Sequence, residues 1–233
     1  MSAPDAAVPD PTVPDSTVPG PATPDPAATD LFGLVAYGEL LAFDRLAADA
    51  RLAPDLRRRA ALSEMAAAEI AHYRWLTDRL AARGVTPEDA MAPYVEPLRA
   101  YHDSTEPRDW AEAVTKAYVG DAITDDFLRG IADGLAGPDR ALLLDVLHDS
   151  RYAEFADAEI RAAIEADPRA AGRLSMWARR LLGEALSQAG RVAAADRGAL
   201  VALIGRTGGD VPGLLRRLTE AHAARMTAVG LNN

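Results

Sequence analysis

The stretch Leu62-Ser-Glu-Met65-Ala-Ala-Ala-Glu69-Ile-Ala-His72-Tyr-Arg-Trp-Leu76 sets Leu62, Met65, Glu69, His72 and Leu76 three or four residues apart, the spacing of one α-helical face. Leu and Met on such a face belong to a core. Glu69 and His72 share that face at positions that packing alone would fill with Leu or Ala. A buried charge costs several kcal/mol unless it is paired or metal-bound, so an inward Glu-x-x-His reads as half of a metal site.

Working outward, Pro54 suits the first turn of this helix and Gly84 its end. Upstream, Asp30 is a good N-cap for a helix to about Ala53, with Val35, Glu39, Ala42 and Leu46 on one face. The link between the two helices is short, which makes them antiparallel neighbours. Glu39 then becomes a second inward carboxylate. Residues 85–107 carry four prolines (Pro87, Pro93, Pro97, Pro107) and a short helix opened by Thr86. At about 3.3 Å per extended residue they can run the length of a bundle as one long crossover. A third helix is expected over 108–136 with Val114, Tyr118, Asp121, Asp125 and Leu128 on one face. A fourth, opened by Gly137-Pro138 and ended by Asp167-Pro168, carries Leu142, Asp145, Asp149, Tyr152 and Ala156. Helices from 168 to about 195, near 197–204 and over 211–229 should pack outside.

The fold expected is therefore all-α: a ferritin-like four-helix bundle with one long crossover over residues 30–167 and a C-terminal helical extension over 168–233. Residues 1–29, with Pro at 4, 9, 14, 19 and 24, read as a disordered Pro/Asp-rich tail. No cysteine is present, so thiolate metal sites, iron–sulfur clusters and disulfides are excluded. Neither a signal peptide nor an apolar span of membrane length is evident, and a cytoplasmic location is expected. The net charge of -10 disfavours nucleic acid as a partner.

Di-iron carboxylate bundles take one Glu from each of two helices and a Glu-x-x-His from each of the other two. Glu39 to Glu69 is 30 residues and Asp121 to Asp149 is 28, so two successive hairpins bring acids to similar heights. The metal ligands expected are Glu39, Glu69, His72, Asp121 and Asp149. Asp149-Ser-Arg-Tyr152 stands where a second Glu-x-x-His would be, which adds Tyr152. A register shifted by one turn pairs Asp125 with Asp145-Val-Leu-His148 instead, and brings in Asp125 and His148. His102 and His222, without visible partners in the pattern, read as surface or incidental core residues.

Glu69-Ile-Ala-His72, Lys116-Ala-Tyr-Val-Gly-Asp121, Ala166-Asp-Pro-Arg169, Leu182-Gly-Glu-Ala-Leu-Ser-Gln188 and Leu218-Thr-Glu-Ala-His222 also give the chain a resemblance. From about residue 30 to the C-terminus it resembles the actinobacterial ferritin-like proteins related to MiaE-type tRNA hydroxylases. The resemblance implies a ferritin-like fold and two irons per chain that activate dioxygen, with an external reductase supplying electrons for hydroxylation of a substrate it does not identify. Members of that family tend to carry Asp-Thr-Gly-His where this sequence has Asp149-Ser-Arg-Tyr152. Loss of that histidine favours a second reading, a degenerate scaffold with one metal or none that acts through protein contacts. A third, a tRNA-modifying hydroxylase, needs a basic face, and Arg57-Arg58-Arg59, Arg179-Arg180 and Arg216-Arg217 are scattered. A homodimer is expected by analogy with other ferritin-like proteins.

Overall fold

The computed structural model describes residues 25–147, 150–195 and 198–232. Helix α1 spans Pro26–Asp49. It begins earlier than the sequence reading placed it, because Asp25 and not Asp30 is the cap: the Asp25 carboxylate accepts from the Ala27 amide at 3.1 Å. Pro26 at the first helical position brings a φ already set for the helix. Ala27 and Ala28 are buried, so packing contributes to holding the extra turn.

A 3-10 turn over Ala50–Leu52 leads to α2, Leu56–Ala82. Asp55, one residue beyond Pro54, caps α2 by accepting from the Arg58 amide at 2.9 Å. Gly84 ends the segment with φ +71°, a left-handed conformation that favours glycine. The crossover is more helical than expected. It holds α3 (Pro87–Met91), a 3-10 turn (Ala92–Tyr94) and α4 (Val95–Ser104).

Helix α5 is Trp110–Ala132, capped by Asp109. The single helix expected over 137–167 is two, α6 (Gly137–Asp145) and α7 (Ser150–Ala166). Helices α8 (Arg169–Ala195), α9 (Ala199–Arg206) and α10 (Val211–Ala228) follow. No strand occurs among the described residues.

Helices α1 and α2 pack together along their length, as the short link requires. Ion pairs pin the ends. Arg79 and Arg83, in and just beyond the last turn of α2, both pair with Asp139 at the start of α6. Arg206 of α9 pairs with Asp25 and also reaches the Gly134 carbonyl. At the opposite end, Arg58 of α2 and the indole of Trp110 of α5 both donate to Glu159 of α7. These contacts make α5 antiparallel to α1. The α8 indole of Trp177 donates to the Glu112 carbonyl at 3.0 Å, which seats the C-terminal helices against α5.

Apolar side chains collect in a large cluster around Leu31, Phe32, Leu80, Leu128, Leu143 and Leu203 and a second around Val114, Ile160, Leu174 and Met226. A third, around Leu46, Leu62 and Met65, is smaller. Burial at about 25 cal/mol per Å² of apolar area makes these clusters the main favourable term in folding. They leave space between α1, α5 and the C-terminal helices.

Candidate metal centre

Glu39 on α1 and Glu69 and His72 on α2 are 3%, 2% and 8% exposed. One potential ligand atom from each lies within 4.8 Å of the others. The His72 Nδ1 is 3.3 Å from the Glu39 Oε2. The local reason is helical: Glu69 and His72 are one turn apart on the face that also buries Leu62, Met65 and Leu76, and α1 lies alongside with Glu39 on its inner stripe. The His72 ring also meets the half-exposed Trp75 indole, centroids 5.3 Å apart.

Two carboxylates and an imidazole in a dry setting form an oxygen and nitrogen donor set suited to iron, manganese or zinc. Three buried side chains that could all reach one ion fit a metal better than they fit a packed core. Among the described residues no other His, Asp or Glu group meets the same condition.

The other expected ligands are placed differently. Asp121 on α5 is half-buried and lines the same cavity as Glu39 and Glu69. Asp125, one turn further on, is buried and pairs with Arg129 at 3.2 Å. Asp121 and Asp125 both line a small hollow with Tyr118, Asp126 and Arg225. Asp145, the partner of Asp125 in the shifted register, is exposed. Tyr152 is half-buried on α7, and its hydroxyl donates to the Glu64 carbonyl of α2 at 3.5 Å. Asp149 and His148 lie outside the described residues.

The cavity beside the triad has a volume of about 340 Å³, within the roughly 300–1,000 Å³ of small-molecule sites. It runs along α1 and α5, is flanked by α4, α8, α9 and α10, and is partly open to solvent. One end is polar, with Arg45, Asp49, His102 and Lys116. Glu39, Glu69 and Asp121 line the middle, and the other end is aliphatic.

Burial pushes His102 down to about 3, aided by Lys116 and Arg45, so the ring is neutral. Burial also lowers Lys116 to about 8, against the opposing pull of Asp49, and raises the Asp49 carboxyl despite Lys116 and Arg45. Burial pushes the Tyr101 phenol up as well.

Sequence periodicity missed this polar end. His102 was read as incidental, yet it lines the cavity with a buried Nδ1. Lys116 is 6% exposed on a helix whose apolar pattern gave no reason to bury a lysine. The one available signal is that Lys116 and Gly120, four residues apart, share one stripe of α5.

Fold and site define a class: a helical bundle with an interior carboxylate–histidine cluster that could hold a metal ion. The model of the ferritin-like domain of actinomycetes matches residues 23–207, and the chain belongs to that family. A search of curated proteins finds no match.

Proposed function

We propose that the chain binds iron through Glu39, Glu69 and His72 and acts as an oxygen-dependent hydroxylase on a substrate held in the adjoining cavity. The observation that carries this is the meeting of three buried donors, two of which, Glu39 and Glu69, line a ligand-sized apolar cavity. Asp121 and Asp149 are the carboxylates that would serve a second iron. Iron bound here supplies dioxygen activation.

The protein's own residues have narrower tasks. Glu39 and Glu69 offer anionic oxygens, His72 offers a ring nitrogen that the Glu39 contact orients, and the aliphatic walls exclude water. In this reading an external reductase supplies the electrons. A homodimer in the cytoplasm is the expected setting. Among the described residues no helix is long and apolar enough to cross a membrane.

A scaffold reading with one metal or none draws on Tyr152, whose hydroxyl is directed to the Glu64 carbonyl. That carbonyl lies about 7.5 Å of helical rise before Glu69. A MiaE-type activity on tRNA is less well supported. Arg58 is engaged by Asp55 and Glu159, and Arg179 and Arg180 donate to the Asn232 and Ser104 carbonyls.

Iron per chain, measured after expression in iron-supplemented cells, separates the readings. Iron near two per chain in the natural sequence and absent in Glu69→Ala supports the hydroxylase. Absence of iron in the natural sequence, with binding gained only in Tyr152→His, refutes it in favour of the scaffold.

A further inference from the structure

The cavity is asymmetric along its axis. Arg45 and Glu39 are separated along α1 by about 9 Å of helical rise, and Arg45 and Leu34 by about 16 Å. A ligand filling it is therefore long and narrow. Beyond the acids of the middle section the walls are Leu34, Leu200, Ile204, Val211, Leu214 and Leu218, which offer nothing but apolar contact.

The near end is different. The Arg45 guanidinium pairs with Asp103 through Nη2 at 3.0 Å, but its Nε is buried without a hydrogen-bond partner. The His102 Nδ1 is also buried and unpartnered. Lys116 Nζ donates to the Thr105 carbonyl at 2.7 Å and has further N–H groups to offer. Further along, Gln188 is 6% exposed, lines the cavity and leaves its Oε1 unpartnered. Buried polar atoms left without partners are unfavourable, so the Arg45 and His102 nitrogens at the polar end point to a ligand that supplies the missing contacts.

The charge pattern selects the headgroup. Two cations, Arg45 and Lys116, line the polar end with one carboxylate, Asp49, and burial disfavours the charged forms of both Lys116 and Asp49. Asp103, which pairs with Arg45, is exposed and outside the lining. The middle section, with Glu39, Glu69 and Asp121, repels an anion. An acidic group is therefore favoured at the Arg45 end and at no other point along the cavity.

We infer that the cavity is a binding site for a long-chain aliphatic carboxylic acid, its carboxylate held by Arg45, His102 and Lys116 and its chain passing the Glu39–Glu69–His72 cluster. As the substrate of the hydroxylation proposed above, this ligand rests on that reading; as a ligand of the cavity, it does not.

The test uses the full-length, chelator-treated protein, so that binding is read without metal. Dodecanoate, 1-dodecanol and methyl dodecanoate are titrated calorimetrically. Dodecanoate should bind at least about tenfold more tightly than the alcohol or ester, and Arg45→Met should remove that preference while leaving the alcohol unchanged.

Gly38 and Gly120 line the cavity, and a Cβ at either would meet nothing within 4 Å. Gly120→Leu and Gly38→Leu should therefore fill it and abolish binding of all three probes with helicity and melting temperature retained. Absence of dodecanoate binding overturns the inference, as does equal affinity for acid and alcohol, or full binding in folded Gly120→Leu. Iron content measured on untreated samples of the same proteins reports on the metal separately.

Discussion

Glycine at two positions of α1 gives a prediction with opposite signs. A Cβ at Gly33 would lie 2.2 Å from the Ala90 carbonyl oxygen and 2.6 Å from its carbon, whereas at Gly38 it would meet nothing within 4 Å. The obstacle at Gly33 is backbone, so no rotamer change relieves it, and α3 must move by roughly 1 Å to reach ordinary contact. Overpacking of this kind costs about 1–3 kcal/mol. Helix propensity returns at most about 1 kcal/mol for Gly→Ala. Gly33→Ala should therefore lose about 1–2 kcal/mol, while Gly38→Ala should gain up to about 1 kcal/mol. At roughly 2–4 °C per kcal/mol for a domain of this size, the two melting temperatures should differ by about 5–10 °C. Thermal scans followed by circular dichroism, with urea midpoints as a second measure, decide it. Equal stabilisation of both variants would refute the close seating of α3 on α1.

Acid should destabilise the protein through His102. Burial holds its folded pKa at about 3, below the ordinary histidine value of about 6.5, so its contribution is complete above pH 6.5 and is lost as pH falls from there toward 3. At pH 5 the loss is about 1–2 kcal/mol in urea unfolding, and His102→Gln should flatten that part of the profile. Metal should stabilise the fold: ferrous iron, added anaerobically at a hundredfold excess over its Kd, should contribute about 2.7 kcal/mol, and no melting shift should occur in His72→Ala. Asp25→Ala should lose about 1 kcal/mol with the Ala27 cap. Asp25→Asn keeps the cap and gives up only an exposed pair with Arg206, so it should melt near the natural protein; equal losses in the two would disprove the capping role.

Periodicity made the long helices legible, since a stripe such as Leu62, Met65, Glu69, His72 and Leu76 has one structural solution and all five residues are buried. It also singled out Glu39, Glu69 and His72, which meet in the structure, because acids on such a stripe stand out against Leu and Ala. Short elements were harder. Helix α4 contains Pro97 and lies among other prolines, so local signals argued for extended chain where tertiary packing against α8 decides for helix. The start of α1 differs from the expected one because Asp25 and Asp30 are both good caps; Pro26 after Asp25 and the burial of Ala27 and Ala28 favour the earlier start. The polar end of the cavity was invisible because it joins Arg45, His102 and Lys116 from three helices, and no spacing within one helix records such a meeting.

The two acids that α1 and α5 bring to the middle of the cavity each follow a glycine in the chain, Gly38 before Glu39 and Gly120 before Asp121. Adjacent residues on a helix point about 100° apart, so the donor and the gap beside it are separate letters of the sequence. Substitution at 38 and 120 can only add a side chain, and so can shorten or block the chamber while the donors stay as they are. The size of the chamber can therefore change in descendants of this chain without any change to Glu39, Glu69 or His72.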